Sequence, residues 1–316
     1  MKIKVIFTVI IIALLITGCK KNNAPDSNGL KGEIAISGAW ALYPLMVKWS
    51  EEFKKINPEL KIDVSAGGAG KGMADTLTDI VDIGMVSREI YKEEIEKGAW
   101  VLEVAKDAVI PTINSSNPNL DIILKTGIKK SGFQKLFLSN ASVTWAELVP
   151  GGTNDSVNVY TRSDSCGAAG TWADFLGKKQ EDLQGVGVFG DPGLAEAVIK
   201  DKLGVGYNNI NYLYDGSTKK PHEGIQAIPI DINENGVIDL DENFYDTRDL
   251  LTQSIVENKF PSPPARDLFI VFHNKPVKKE AVSFIRWILN EGQNFVEENG
   301  YIKIEETKLN KIRNEF

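Results

Sequence analysis

The sequence predicts an α/β protein folded as two lobes. Strands and helices alternate along the chain, the alternation runs through two successive series, and a strong late strand with terminal helices follows the second series. At 316 residues two domains are expected, and the chain is long enough to bury substantial cores without a disulfide framework.

Taken in order, Glu33 to Ser37 reads as a short strand and Tyr43 to Ile56 as a helix with Leu45, Met46, Trp49 and Phe53 on one stripe. Leu60 to Ser65 is the next strand, Gly67 to Gly72 a Gly-rich turn, Met73 to Ile80 a helix and Asp82 to Val86 a strand. Glu93 to Lys97 is a short helical piece, and Val101 to Asn114 is mostly extended despite Pro111. The second series has helical segments at Lys129 to Leu138 and Thr144 to Leu148, a strand at Val157 to Thr161 and a helix at Cys166 to Leu176. Short helices at Glu181 to Leu183 and Leu194 to Lys200 follow, then strands at Gly204 to Asn208 and Ile225 to Ile230 and a helix at Leu250 to Glu257. The Pro261-Ser262-Pro263-Pro264 break leads to a strand at Leu268 to Phe272 and to helices at Ala281 to Leu289 and Gly292 to Glu297.

The first residues carry an export signature. Lys2 and Lys4 precede an apolar run from Val5 to Ile16, interrupted by Thr8 and shorter than the ~20 residues of a membrane-spanning helix. The run ends in Leu15-Ile16-Thr17-Gly18-Cys19, which resembles the bacterial lipobox. That resemblance implies a signal peptide at residues 1–18 and a diacylglycerol on Cys19, which anchors the mature chain to a membrane without spanning it. Residues 19–32 are polar, with Pro25 and Gly29, and read as a tether. With Cys19 lipidated, Cys166 has no disulfide partner. The net charge of −7 argues against nucleic acid as a partner.

Four small-residue turns lie between a strand and a helix or end a strand: Ser37-Gly38-Ala39-Trp40-Ala41, Ser65 to Gly72, Met85-Val86-Ser87-Arg88, and Arg162-Ser163-Asp164-Ser165-Cys166-Gly167-Ala168-Ala169. Such turns aim unsatisfied amides outward at a helix start, where the helix dipole also favours an anion. Lys71, Arg88 and Arg162 each put a cation beside one of them.

These loops resemble those of the phosphate-specific substrate-binding proteins of ABC transport. The likeness is carried by Ser37-Gly38 with Tyr43-Pro44-Leu45, Ala69-Gly70-Lys71-Gly72, Val81 to Glu89, Arg162 to Ala168 and Pro261 to Val271, in consistent order from about Gly32 to Tyr301. The resemblance implies a two-lobed periplasmic-binding fold of type II, with the ligand in a cleft between two mixed-sheet domains that close by a hinge. On that basis lobe 1 is expected at 33–110 plus 265–316 and lobe 2 at 111–264. It further implies a ligand set of Ala39, Trp40, Gly70, Lys71, Gly72, Ser87, Arg88, Arg162, Asp164, Cys166, Gly167 and Ala168, with phosphate as ligand, a monomeric state and an ABC permease as partner.

The sequence departs from that family at informative places. Ala39, Trp40 and Ala41 stand where hydroxyls are usual, Cys166-Gly167-Ala168 replaces Ser-Gly-Thr, and Ser87 stands near the place of an Asp that in some members accepts a phosphate proton. Backbone amides and the three cations would have to carry more of the binding, and sulfate, molybdate, tungstate or a small organic anion remain open as ligands. Trp40 reads either as an apolar wall over the ligand or as core. Cys166 reads as a small helix-start residue, since His222 and His273 form no recognisable pair with it.

Asp231 to Glu242 fits an EF-hand loop. Asp231, Asn233 and Asn235 stand at positions 1, 3 and 5, Gly236 at 6, the Val237 carbonyl at 7, Asp239 at 9 and Glu242 at 12. Oxygen donors at this spacing suit Ca²⁺. A strand-like run, Ile225 to Ile230, precedes the loop where an EF-hand has a helix, so the expectation is a lone structural site within lobe 2, with Ile238 pointing into the fold. Two other classes stay in view. A calcium-binding secreted phosphoesterase would need a base, nucleophile or metal cluster that the sequence does not display, and a surface scaffold lipoprotein would not close around a small ion.

Overall fold

The computed structural model describes residues 29–315; the export segment, Cys19 and most of the tether lie outside the described residues. Lobe 1 opens with β1 (Gly32–Gly38), α1 (Tyr43–Ile56), β2 (Leu60–Ala66), α2 (Ala69–Leu77), β3 (Ile83–Val86) and α3 (Lys92–Glu96). The long β4 (Ala99–Asn114) then leads into α4 (Leu120–Thr126), β5 (Ile128–Lys129), α5 (Lys130–Leu138), α6 (Trp145–Leu148), β6 (Asn158–Arg162), α7 (Gly167–Phe175), β7 (Val186–Val188), α8 (Gly190–Lys200), β8 (Gly204–Asn209) and α9 (Ile210–Leu213). The chain closes with β9 (Ile225–Ala227), β10 (Ile230–Asp231), α10 (Arg248–Val256), β11 (Ala265–His273), α11 (Lys279–Leu289) and α12 (Glu306–Glu315).

One mixed sheet runs through the molecule in the order β2-β1-β3-β11-β4-β8-β6-β7, with β9 also on β4 and a separate β10-β5 pair. β1, β2 and β3 are parallel, as βα crossovers require, while β11 is antiparallel to β3 and β4. Along β4, residues 99–108 pair with β11 and residues 109–113 pair with β8. The buried side chains fall into two clusters that meet along these strands. One holds residues between Ile34 and Ala105 and between Leu268 and Ile312; the other holds residues between Ala108 and Ala265, joined by Ile302. β4 and the start of β11 are therefore the strands that run from one cluster into the other.

Local sequence explains most elements. α1 carries Pro44 in its first turn, where the missing N–H costs nothing, and buries Leu45, Met46, Trp49 and Phe53. Trp49 also donates to the Gly292 carbonyl at 2.7 Å, which ties α1 to the C-terminal segment. Three differences from the sequence reading have physical causes. α2 begins at Ala69 and not at Met73, so Ala69 to Gly72 of the expected Gly-rich turn is helical. A β-carbon at Gly72 would lie 2.6 Å from the Met85 carbonyl oxygen and 2.7 Å from the Gly38 Cα, so close packing of α2 on the sheet overrides the poor helix propensity of glycine. The expected strand from Ile225 to Ile230 splits in two at Pro229, which has no N–H for a ladder. The α4 and α12 helices were not anticipated, because their short apolar patterns are weak on their own. No helix among the described residues is long and apolar enough to cross a membrane.

Candidate functional site

The structure brings all four turns to one place, where the lobes face each other. A β-carbon at Gly68, before α2, would lie 2.7 Å from the Ser165 carbonyl oxygen, and one at Gly70 would lie 3.0 Å from Ser165 Oγ. Gly68 has φ +93°, a backbone that glycine adopts without strain. A β-carbon at Gly190 would lie 3.3 Å from the Trp40 ring. The α2 and α7 N-termini thus meet across the cleft, with Ser87 of lobe 1 against the start of α7.

Their first-turn amides, Ala69 to Lys71 in α2 and Gly167 and Ala168 in α7, have no intrahelical carbonyl to bind. Cys166 caps α7 and takes up one further amide, since its Sγ accepts from Ala169 N at 3.4 Å. Burial pushes that thiol up to about 12, the opposite of what a thiolate nucleophile requires. His273 bonds Asp79 through its Nδ1, and the His222 amide donates to the Leu213 carbonyl.

The first loop differs from its expected role. The Ala39 amide donates to the Met85 carbonyl at 2.8 Å, and Ser37 Oγ donates to Asp75, so neither is left for a ligand. Trp40 is half-buried against Tyr43 and, edge-on, against Phe189 of lobe 2, and its carbonyl accepts from Tyr212 Oη at 3.2 Å. It therefore joins the two lobes. Gly72 is a packing residue under the loop, as described above.

Each of the three cations expected beside the turns is ion-paired within the protein. Lys71 pairs with Asp75 one helical turn on. Arg88 turns to Glu94, with bonds of 2.6 and 3.0 Å, and stacks its guanidinium over Tyr91 at 4.4 Å. Arg162 has a fully buried side chain gripped by two carboxylates. Asp164 accepts Nε at 2.8 Å and Nη2 at 2.5 Å, while Asp191 accepts Nη1 at 2.5 Å. Burial opposes the Arg162 charge, but the field of Asp191 and the bonds to Asp164 outweigh it and hold the guanidinium above its ordinary value. Both η nitrogens keep a second N–H, so Arg162 still offers donors.

Five residues outside the expected ligand set extend this cluster. Asp191 also accepts from Asn209 Nδ2 at 2.6 Å, and Asn209 Oδ1 accepts from Arg266. Arg266, on β11, donates to Asp107 of β4 at 3.3 Å and to Thr171 of α7 at 3.2 Å. Burial pushes the Asp107 carboxyl up to about 6, with Arg266 opposing the shift. A polar chain thus runs from the fourth loop to the interlobe strands. Its one sequence signal is Gly190-Asp191-Pro192-Gly193, a further small-residue turn between a strand and a helix.

The EF-hand-like loop is packed through its own polar groups. Asp231 accepts from Asn235 N and Gly236 N, Asp239 accepts from the Asn233 and Asn235 side-chain amides, and Glu242 accepts from Ile232 N, Asn233 N and Asp239 N. Val237 is exposed, and its amide donates to Asn235 Oδ1. The Ile238 side chain reaches toward Gly127, and its amide donates to the Lys125 carbonyl. Among the described residues no group of three or more His, Cys, Asp or Glu is placed to hold a metal ion.

Comparison with known proteins agrees with this architecture. The chain is 29% identical over 201 residues to the phosphate-binding protein PstS of Bacillus subtilis, a match spanning 62% of this chain and 64% of that protein, just under two thirds. It is 26% identical over 301 residues to the phosphate-binding protein PstS of Borreliella burgdorferi, covering 94% and 98% of the two chains. A Clostridium perfringens structure with bound phosphate, provisionally described as a phosphate ABC transporter substrate-binding protein, superposes with a TM-score of 0.70 at 22% identity, covering 87% of this chain and 100% of that one. At that identity the likeness speaks for the two-lobed fold. A family model described as a PBP superfamily domain matches residues 23–291, most of the chain, and the protein belongs to that family.

Proposed function

We propose that this protein is an extracytoplasmic binding protein that captures phosphate, or a related tetrahedral oxyanion, between its lobes and delivers it to an ABC importer. The observation that carries this reading is the meeting of two helix N-termini, α2 from lobe 1 and α7 from lobe 2, beside the buried Arg162 guanidinium. Free first-turn amides and fixed guanidinium N–H groups suit an oxyanion, and closing the cleft brings both helix dipoles to bear on it together. The relatives named as phosphate-binding proteins support phosphate as the first choice. Binding rests on hydrogen-bond donors fixed in place, with no net positive charge, since every cation of the site is paired. Calorimetry of the purified chain, stripped of endogenous ligand, against phosphate, sulfate, molybdate and tungstate tests the assignment. Micromolar or tighter binding of phosphate supports it, and no heat with any oxyanion overturns it.

In the same reading the chain is a monomer without catalytic activity, tethered to its membrane through lipid on Cys19. Mass spectrometry of the N-terminal peptide, together with release of a Cys19→Ala variant into the medium, checks the anchor. The loop from Asp231 to Glu242 is assigned a structural calcium ion, held by Asp231, Asn233, Asn235, the Val237 carbonyl, Asp239 and Glu242. The hydrogen bonds that already gather these side chains within one turn support that assignment.

A further inference from the structure

We propose that Gln180 is a positioning residue for the anion site: its side-chain amide clamps the loop that presents the α7 donors. The inference rests on the oxyanion reading above and deepens it. Gln180 opens the 3-10 turn from Gln180 to Asp182, which follows α7. Its Nε2 donates to the Asp164 carbonyl at 2.7 Å, and its Oε1 accepts from the Cys166 amide at 3.2 Å. These two backbone groups flank Ser165. One side chain thus holds the loop on both sides of the residue that faces α2, where the Ser165 carbonyl and Oγ approach Gly68 and Gly70.

The chemistry of a primary amide suits this task. It carries a donor and an acceptor in one plane, as a peptide unit does, so Gln180 serves the loop as a neighbouring strand would. On one side of the clamp the Ser163 amide is held by the Val188 carbonyl at 3.0 Å. On the other the Cys166 carbonyl accepts from Gly170 N at 3.1 Å, inside the first turns of α7. Between those points Gln180 supplies the bonds to the Asp164 carbonyl and the Cys166 amide. Fixing the backbone of one residue costs about 1–2 kcal/mol of conformational entropy. A loop already fixed by the protein does not draw that cost from the binding of a ligand.

The clamp also decides which amides are left for an oxyanion. Cys166 is extended, with φ −143° and ψ 156°, and caps α7. Its own N–H is taken by Gln180, so the donors that α7 presents begin at Gly167. Asp164 is held through its carbonyl while its carboxylate grips Arg162 at Nε and Nη2, so the same clamp steadies the guanidinium. The 3-10 turn itself does not depend on the Gln180 side chain. Its backbone is closed by Leu183 N on the Gln180 carbonyl at 3.1 Å and by Lys179 N on Asp182 at 3.0 Å. Gln180 is half-buried, and its removal leaves the packed cluster of the second lobe in place.

The test is calorimetry of the full chain with inorganic phosphate for the wild type, Gln180→Met and Gln180→Glu. Gln180→Met keeps the length of the side chain and removes both bonds. At neutral pH it is expected to weaken phosphate by about tenfold, with the melting temperature of the unliganded protein little changed. Hydrogen exchange at the Cys166 amide should quicken in this variant while the amides of β4 stay protected. Gln180→Glu supplies the rescue. At about pH 4 its carboxyl is largely protonated and again offers a donor and an acceptor, and neither variant is charged at position 180. There Gln180→Glu is expected to bind phosphate about threefold more tightly than Gln180→Met. Wild-type affinity in Gln180→Met overturns the proposal, and so does Gln180→Glu binding no more tightly than Gln180→Met in acid. A Gln180→Met variant that melts far below the wild type assigns Gln180 to stability and overturns the positioning role. Absence of phosphate binding by the wild type instead overturns the oxyanion reading on which this rests.

Discussion

Gly167 lies so close to Ser87 that a β-carbon on Gly167 would sit 2.1 Å from the Ser87 carbonyl oxygen and 2.2 Å from its Oγ. Gly167 opens a lobe 2 helix and Ser87 follows a lobe 1 strand, so this contact joins the two lobes. Gly167→Ala should hold the lobes apart. The expected outcome is a loss of oxyanion affinity of tenfold or more, about 1.4 kcal/mol, with the melting temperature little changed, because lobe cores stay intact. Calorimetry and small-angle scattering with and without phosphate check this; a variant that closes and binds like the wild type contradicts it.

Removing Arg162 should be costly in two ways. Arg162→Ala leaves Asp164 and Asp191 as buried carboxylates without their cation, and breaking such a buried group typically costs about 3–5 kcal/mol. Urea unfolding should show that loss, and calorimetry should show phosphate binding reduced beyond detection. A variant as stable as the wild type would mean that the carboxylates find other partners.

Asp107 makes a signed prediction about pH. Its carboxyl lies at about 6 in the folded chain against an ordinary 3.8, so between those values the folded state binds the extra proton. Its contribution to stability is present below 3.8 and is lost as pH rises through 6. The shift corresponds to about 3 kcal/mol. Wild type should therefore gain stability relative to Asp107→Asn as pH falls through this window, measured by urea unfolding of both proteins. A difference independent of pH would show that Asp107 does not titrate there.

The calcium assignment predicts a ligand-linked melting temperature. Calcium at about a hundred times its dissociation constant stabilises a one-site protein by about 2.7 kcal/mol. EGTA should lower the melting temperature of the wild type and leave Asp231→Ala unaffected. Equal melting of both proteins with and without EGTA rules the site out.

Much of this protein is legible in its sequence. The alternation of apolar strands with amphipathic helices is local information, because side-chain period is set by backbone geometry, and it gave α1, β1, β2, α7 and β8 nearly at their observed bounds. The four small-residue turns were visible for the same reason: only short side chains and glycine fit a turn that opens a helix against another backbone. The export signature and the EF-hand-like spacing are likewise written in residue order.

What tertiary structure alone decided is which charges meet. Lys71, Arg88 and Arg162 read as cations beside the turns, and sequence shows a basic residue but not the carboxylate folded beside it. Asp75 lies on the same helix as Lys71 and Glu94 six residues beyond Arg88, but Asp191 reaches Arg162 from 29 residues away, and Asp107 reaches Arg266 across 159. Ion pairing depends on distance in space and on exclusion of water, and neither is a property of residue order. The sequence determined two α/β series with small-residue turns at their helix starts; the folded chain determined that the Arg162 guanidinium beside them is already matched by two acids, because only packing brings β6, α8, β8 and β11 to one buried point.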